Sequence, residues 1–346
     1  MTINSLVDEQ TFGIDDNLDY HDQVNQAFDP NFLLFDKIVR RHVVFNLFFM
    51  LLCTLEVVSL IIFFSVLSQS LVLALGLALM FFTCFAYFTL NLYFQTKKPE
   101  QFYAIRNQYL ASCREIMNQQ EGIEDQYHIV AKACCKFANR LHAREYSYYK
   151  LPSWLEKFSP WMERFSCWWH WKDVHLMREL MLQEAVNEQI KLVKSSPTSL
   201  EAHAALANSY VMLSGLYVDP RKIEGYDDEY WIPSDKFGEV FNVKFRRIAE
   251  KAIEEFKVLC EYAPDDPWVH SQLAYSYHDL QMPQEEIAEY ETIQKLLPDD
   301  KDNLYKLGTL YFQQGSNAKG LRVYEELKKA HYNKTDLLIK YYGSCS

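Results

Sequence analysis

The chain has 346 residues, of which 49% are hydrophobic, and an acidic net charge of -11. This composition excludes collagen-like and low-complexity chains, and the acidic balance argues against nucleic acid as the main partner. The charge is unevenly distributed, because residues 43–96 contain a single charged side chain, that of Glu56. A stretch of this length with one charge is atypical of a water-soluble domain and predicts a membrane segment.

The N-terminal region, residues 1–42, contains eight acidic but only three basic side chains. We expect this region to form an acidic, largely flexible tail. No cleavable signal peptide is expected, because the apolar stretch that follows starts late, is long, and is preceded by acidic residues.

Two apolar runs, residues 43–67 and 71–94, are separated by only three polar residues. A helix needs roughly 20 apolar residues to cross a bilayer, so each run is long enough. The short link forces the second helix to return antiparallel to the first, which predicts a transmembrane helical hairpin over residues 43–96. The alternative is that both runs are buried helices of a large globular core.

Basic side chains flank both ends of this hairpin, whereas the link has no charge. The positive-inside rule therefore predicts an integral membrane protein with two spans and both termini on the cytoplasmic side. The flanking residues are Lys37, Arg40, Arg41, Lys97 and Lys98.

Glu56 lies near the middle of the first span, and Thr83 lies at the same depth in the second. An ionised carboxylate at that depth costs several kcal/mol, so we expect Glu56 to be protonated or paired. Three interpretations are open: a proton or ion site, a polar contact that specifies assembly, or a neutral side chain hydrogen-bonded to Thr83 or to a backbone carbonyl.

Residues 97–180 form a predicted helical connecting region, with a helix break at Gly122. Aromatic residues then recur at alternating steps of four and three, which places them on one helical face. They form either an interfacial helix lying on the membrane or an aromatic seam packed inside a soluble domain, and Pro160 is expected to kink or divide the helix. The five aromatic residues are Trp154, Phe158, Trp161, Phe165 and Trp168.

The C-terminal half, residues 181–346, is repetitive. Prolines that close amphipathic stretches recur at Pro197, Pro264 and Pro298, and the last two are 34 residues apart. After each of these prolines, a Leu followed by a small residue precedes a Tyr by four positions. The three copies of this pattern begin at Leu206, Leu273 and Leu307.

This pattern resembles the tetratricopeptide repeat (TPR) family, which is built from 34-residue helix-turn-helix units. The resemblance implies an all-α fold in which the hairpin is followed by an α-solenoid. It also implies a concave groove, lined by the first helix of each unit, that binds peptides or helices of partner proteins. The positions that match this groove are Asn208, Met212, Trp268, Ser271, Tyr275, His278, Tyr305, Thr309 and Phe312.

The residues of this groove favour one kind of ligand. Only Asn208 and Lys306 fall where the carboxylate clamp of some TPR proteins would lie, so we expect no such clamp. The aromatic lining instead suggests an apolar or helical segment of a partner protein. Alternatively, a neighbouring helix or the insertion described next covers some of these aromatics.

An insertion of about 33 residues, at about 215–247, separates the two helices of the first clear repeat. Long insertions in repeat proteins emerge on one face and often carry function. The insertion is either a lid or partner-binding arm, or a loop packed against the array. Its candidate aromatic residues are Tyr226, Tyr230 and Trp231.

No motif for catalysis, cofactor binding or metal binding is present, and we expect a protein that is not an enzyme. The eight cysteines lack a Cys-x-x-Cys pair, which fits a reducing compartment without a zinc site. His170, Asp173 and His175 have no fourth ligand nearby and lack helical i, i+4 spacing, so we predict no metal site there.

Together these features predict a membrane-anchored adaptor or scaffold whose repeats bind a protein partner, with homo-oligomerisation as a further possibility. One alternative is an assembly subunit of a membrane complex or transporter in which Glu56 acts. Another rests on the two-lobed hairpin preceded by a polar N-terminal stretch, which resembles the inclusion-membrane proteins of obligate intracellular bacteria. That resemblance implies a secreted protein facing the host cytosol.

Overall fold

A computed structural model of the chain describes residues 18–62, 70–117, 123–149, 157–222, 231–233 and 235–343. Regular structure in these ranges is entirely helical, so the predicted all-α fold is confirmed for them. The chain forms two compact units. The first comprises residues 1–188 with 220–236, and the second comprises residues 189–219 with 237–346.

The first unit is built on two long helices, α1 (Leu18–Ile62) and α2 (Ser70–Met117). Side-chain hydrogen bonds pair residue 42 with 91, 46 with 87 and 56 with 83, so the two helices run antiparallel. By length and composition, both are apolar enough to cross a membrane, over Phe28–Ile62 and Leu73–Ile116.

The N-terminal region differs from the expected flexible tail. Residues 18–42 are helical and continue directly into the first apolar run. They are ordered by packing: the Phe35 ring lies 5.2 Å from that of Phe102, and the Phe28 ring lies 5.2 Å from that of Phe137. Phe35 and Val39 are fully buried. Residues 1–17 lie outside the described ranges.

The expected boundary at residue 97 also shifts, because α2 continues through Pro99 to Met117. Its C-terminal part packs against α3 (Ile123–Arg140), where the Tyr109 and Phe137 rings are 5.1 Å apart and both buried. The break predicted at Gly122 lies outside the described residues.

The next helix, α4 (Ser159–Ser195), is continuous. Pro160 lies in its first turn, where a missing N–H costs no hydrogen bond, so this proline does not kink the helix as expected. Phe158, Trp161 and Trp168 are 59%, 77% and 52% exposed, so a seam packed inside a soluble domain does not describe them. Trp154 lies outside the described residues.

The second unit consists of successive helix pairs, α5 with α6, α7 with α8 and α9 with α10, and each pair also contacts the next. A short helix, α11, packs on the last pair. The predicted stack of helix pairs is therefore confirmed. The bounds are α5 Leu200–Gly215, α6 Glu239–Tyr262, α7 Pro267–Asp279, α8 Pro283–Leu296, α9 Lys301–Gln313, α10 Asn317–Lys329 and α11 Thr335–Leu338.

Each first helix of a pair begins at a side chain that accepts a backbone N–H, namely Ser199, Asp266 and Asp300. Such caps satisfy donors that have no partner inside the helix. The caps recur at the same intervals as the closing prolines. The turns inside the second and third pairs likewise use left-handed residues 34 positions apart, Gln281 (φ 57°) and Gly315 (φ 70°).

The insertion is shorter than expected, because α6 begins at Glu239 and residues 239–247 are helical. Within residues 216–238, the segment 220–236 belongs to the first unit. There the Tyr146 hydroxyl donates a 3.1 Å hydrogen bond to the Trp231 carbonyl, and Pro233 is buried. Tyr226 and Tyr230 lie outside the described residues.

Candidate functional site

Helices α7 and α9 carry five of the predicted groove residues. Their side chains are partly exposed, as a ligand-contacting surface requires. A contact joins the two helices: Lys306 Nζ donates a 3.1 Å hydrogen bond to the Tyr275 hydroxyl and lies 5.1 Å from the centroid of its ring. We call these five residues the α7–α9 surface: Trp268, Ser271, Tyr275, Tyr305 and Thr309.

The other predicted groove positions behave differently from one another. Asn208 and Met212 are partly exposed on α5. His278 is exposed, and its Nδ1 lies 3.1 Å from Oε1 of Glu286, a buried carboxylate at a position where TPR units usually have a small residue. The histidine thus supplies a polar partner that makes the buried acid tolerable.

Phe312 does not line the surface as expected, because it is fully buried. Its ring packs on Gly320 of α10, where an added Cβ would lie 2.5 Å from a ring carbon. The ring also contacts that of Tyr342 at 5.7 Å, edge to face. Helical spacing placed Phe312 in line with Tyr305 and Thr309, but the space above Gly320 draws it into the core.

The structure also contains a repeated histidine contact that sequence reasoning missed. His203 Nδ1 lies 2.6 Å from Glu255 Oε2, and its Nε2 lies 3.0 Å from the carbonyl of the closing Pro197. The same arrangement recurs in the next repeat, with His270 Nδ1 2.6 Å from Glu289 Oε2 and His270 Nε2 2.8 Å from the Pro264 carbonyl. The recurrence of His six residues after the closing proline is the signal that could have revealed it.

Both partners of each ring only accept hydrogen bonds, so both ring nitrogens must donate and the imidazolium form is favoured. Burial alone lowers the pKa of His203 and His270. The carboxylate and carbonyl contacts outweigh it and raise the pKa of both above the usual value.

This pKa shift predicts the pH dependence of the second unit. The folded state holds the protons more tightly, so the stabilisation is complete below the unfolded-state pKa of about 6.5 and is lost as pH rises through the folded-state pKa. We expect the urea midpoint for unfolding of the second unit, measured within the full chain, to fall between about pH 6 and pH 8. The variant His203→Gln/His270→Gln should flatten this dependence, while His331→Gln at an exposed site should not. An unchanged dependence in the double variant would contradict the assignment.

In the first unit, the ends of the hairpin helices that lie away from the link meet α4 in a buried polar cluster. Lys98 Nζ donates to Asp173 Oδ2 at 2.6 Å and to His42 Nδ1 at 3.1 Å, and all three residues are buried. Because an ammonium only donates, His42 accepts at Nδ1 and donates from Nε2 to Asn91 Oδ1, 3.0 Å away. We call Lys98, Asp173, His42 and Asn91 the junction cluster.

His170 borders the junction cluster, with Nδ1 3.4 Å from Asp173 Oδ2. Burial lowers the pKa of His170. Burial raises the pKa of Asp173, but the His170 hydrogen bond and the Lys98 charge outweigh it and leave this pKa below its usual value. Asp173 therefore stays a carboxylate that balances a lysine. Across the described ranges, no group of three His, Cys, Asp or Glu side chains could hold a metal ion.

A second buried carboxylate, Asp36, ties α1 to the segment after α3. Arg144 Nη2 donates to Asp36 Oδ2 at 2.6 Å, and the Tyr148 hydroxyl donates to Oδ1 at 3.3 Å. Further along the hairpin, Thr83 Oγ1 donates to Glu56 Oε1 at 2.6 Å. The two polar positions singled out within the apolar runs thus lie together, with the threonine as hydrogen-bond donor.

No protein-family model matches the chain, and no curated protein matches it. Among solved structures, the chain is similar to a thermophilic TPR protein from Thermus thermophilus, with 17% sequence identity and a TM-score of 0.30. The match covers 61% of this chain and 96% of that one. The second unit is a helical-repeat domain by its own helix pairing.

Proposed function

We propose that the chain is a membrane-anchored scaffold of the TPR type. Helices α1 and α2 cross the bilayer as a hairpin, with both termini on the cytoplasmic side, and the repeats hold a partner protein there. The observation that carries this proposal is the exposure of large apolar side chains along the hairpin. Ile61, Leu71 and Phe81 are 70%, 74% and 75% exposed, and a water-soluble protein rarely exposes a continuous surface of this kind.

The hairpin has the features expected of a helix pair inserted in a bilayer. Its apolar side chains point outward, and the Thr83–Glu56 hydrogen bond lies between the two helices. In hydrocarbon a polar side chain needs an internal partner, and Thr83 supplies one for Glu56 Oε1, whereas Glu56 Oε2 is buried without a hydrogen-bond partner. The contact favours a structural role for Glu56 in hairpin packing over ion transport.

The α7–α9 surface is the proposed partner site. Aromatic side chains that are partly exposed on rigid helices bind partners at low entropic cost, and Tyr and Trp dominate such contacts. The Lys306 ammonium over the Tyr275 ring fixes that ring in place. The chemistry fits an apolar or helical segment of a protein, and tethering at the membrane raises its local concentration.

Capture of crosslinked partners from intact membranes tests this function with the full chain. We expect Tyr275→Ala to reduce recovery of the partner by roughly tenfold or more, because it removes a central aromatic anchor. The matched control is Tyr262→Ala, which changes a 60% exposed tyrosine on the second helix α6. Equal recovery from both variants and the unmodified chain would contradict the proposed site.

A further inference from the structure

Exposed aromatic side chains lie in the first turns of α4 and directly before it, and neither the repeats nor the hairpin explains them. Phe158, Trp161 and Trp168 are 59%, 77% and 52% exposed. Trp161 and Trp168 are seven residues apart and lie on one side of α4, and Phe158 directly precedes the helix. We call these three residues the aromatic stripe. Tryptophan is rarely left in water to this degree, so the stripe requires a covering partner.

Direct contacts fix the position of the stripe relative to the hairpin. The Trp168 ring lies 4.9 Å from that of Trp169, whose ring lies 6.2 Å from that of His42. The His170 ring is 5.9 Å from the same histidine. His42 immediately precedes the first apolar run, so Trp168, the last residue of the stripe, lies near the boundary between polar and apolar sequence.

A second set of contacts places the neighbouring residues slightly below that boundary. Asn46 Nδ2 donates to the Tyr149 hydroxyl at 3.2 Å, and the Tyr149 ring lies 5.1 Å from that of Phe165. Asn46 is three residues inside the apolar run, which is about 4.5 Å along a helix. Phe165, one turn after Trp161, therefore lies at the depth where the apolar surface of the hairpin starts.

We propose that the aromatic stripe lies in the interface of the bilayer, beside the hairpin, and fixes α4 on the membrane surface. This inference rests on the proposed membrane insertion of α1 and α2. The bilayer is the favoured occupant because ring contacts through Trp169 place Trp168 next to His42 of the hairpin. His42 pairs with Asn91, and the two residues that follow Asn91 in α2, Leu92 and Tyr93, are 63% and 57% exposed.

The chemistry of the stripe fits this place. Tryptophan rings lie at the headgroup level, with an apolar body in the acyl chains and an N–H toward polar groups. Exposed charges in the same part of α4 include the cations Arg164 and Lys172 and the anion Glu163, and the exposed cation Lys157 lies just before the helix. The cations can extend to lipid phosphates while their stems cover apolar surface.

The test uses the full chain labelled with fluorotryptophan, in vesicles of phosphatidylcholine with phosphatidylglycerol. Fluorine NMR signals are assigned with Trp161→Phe and Trp168→Phe, and Trp268 of the repeats serves as internal control. One relaxation agent is a nitroxide attached to lipid near the headgroup, and the other is a water-soluble gadolinium chelate. We expect the nitroxide to broaden Trp161 and Trp168 several-fold more than Trp268, and gadolinium to broaden them less.

Two results would overturn the inference while the hairpin remains inserted. Broadening of Trp161 and Trp168 by gadolinium alone would place the stripe in water. Protection from both agents would mean that protein covers it, either a second copy or another part of the chain. Insertion is measured separately, by retention of the chain in the vesicles after alkaline extraction. Loss of retention would contradict the proposed function itself.

Discussion

Replacing Lys98 by methionine should destabilise the first unit by about 3–5 kcal/mol, because it leaves the Asp173 carboxylate buried without its cation. The pair is close, with Nζ and Oδ2 2.6 Å apart, and the side chains are only 4% and 7% exposed. The substitution also removes the donor to His42. Methionine keeps most of the volume, so the loss reports on charge rather than on a cavity. Pulse proteolysis of the full chain in vesicles, across a urea series, measures the change.

The adjacent lysine provides a matched control. Lys97 pairs with Glu100 at 3.0 Å, but both side chains are largely exposed. Lys97→Met should therefore leave stability nearly unchanged. A double variant, Lys98→Met/Asp173→Leu, removes both charges and should recover much of the loss, because an apolar pair needs no compensation. Equal effects of Lys97→Met and Lys98→Met would show that the buried pair does not stabilise the unit.

The junction cluster connects the hairpin helices to the rest of the first unit. His42 and Asn91 belong to the hairpin helices, whereas Asp173 belongs to α4. Deleting residues 1–96 would therefore remove part of a buried polar network, together with the core residue Phe35. The hairpin is an integral part of the first unit rather than a detachable anchor.

Much of the fold follows from local pattern. Hydropathy predicted the two apolar helices, and the recurring prolines predicted the helix pairs with their approximate period. The helix caps have the same period, since Ser199, Asp266 and Asp300 each lie directly before the first residue of a helix. These signals are local in the chain, so a single sequence contains them in full.

The predictions that were wrong concern regions whose structure depends on contacts between residues far apart in the chain. The polar sequence before residue 43 gave no sign that Phe35 would meet Phe102, so the first helix was expected to start too late. Asp36 and Arg144, which are 108 residues apart, form an ion pair that no spacing rule indicates. Polar composition alone therefore predicted flexibility where long-range packing produces a helix.

The prediction that Phe312 lines the binding groove was wrong for a similar reason. A helical period correctly aligns Tyr305 and Thr309, but it cannot tell whether the next turn faces solvent or a neighbouring helix. That choice depends on Gly320, which lies on α10 and leaves room for the Phe312 ring. Gly320 on α10 and Phe312 at the end of α9 therefore pack against each other, and neither position can be interpreted without the other.

Phe312→Ala separates the two interpretations of this residue. Because the ring is fully buried against α10, its removal should cost about 3–5 kcal/mol in the free energy of unfolding. A groove residue would instead reduce partner capture and leave the unfolding free energy nearly unchanged, as expected for Tyr275→Ala. Urea unfolding of the full chain, followed by circular dichroism, measures this difference. An unchanged free energy of unfolding together with reduced partner capture would instead show that Phe312 is a groove residue.

Gly320→Ala tests the same contact from the opposite helix. Helix propensity alone favours alanine by about 1 kcal/mol, but its Cβ would lie 2.5 Å from the Phe312 ring. We expect overpacking to dominate and the variant to lose about 1–3 kcal/mol. Gly215→Ala is the control, since no atom lies within 4 Å of the added methyl group, and it should be neutral or slightly stabilising. If Phe312→Leu/Gly320→Ala is more stable than Gly320→Ala, the Phe312 ring causes the clash. If the double variant remains as unstable, the loss of stability comes from the α10 backbone instead.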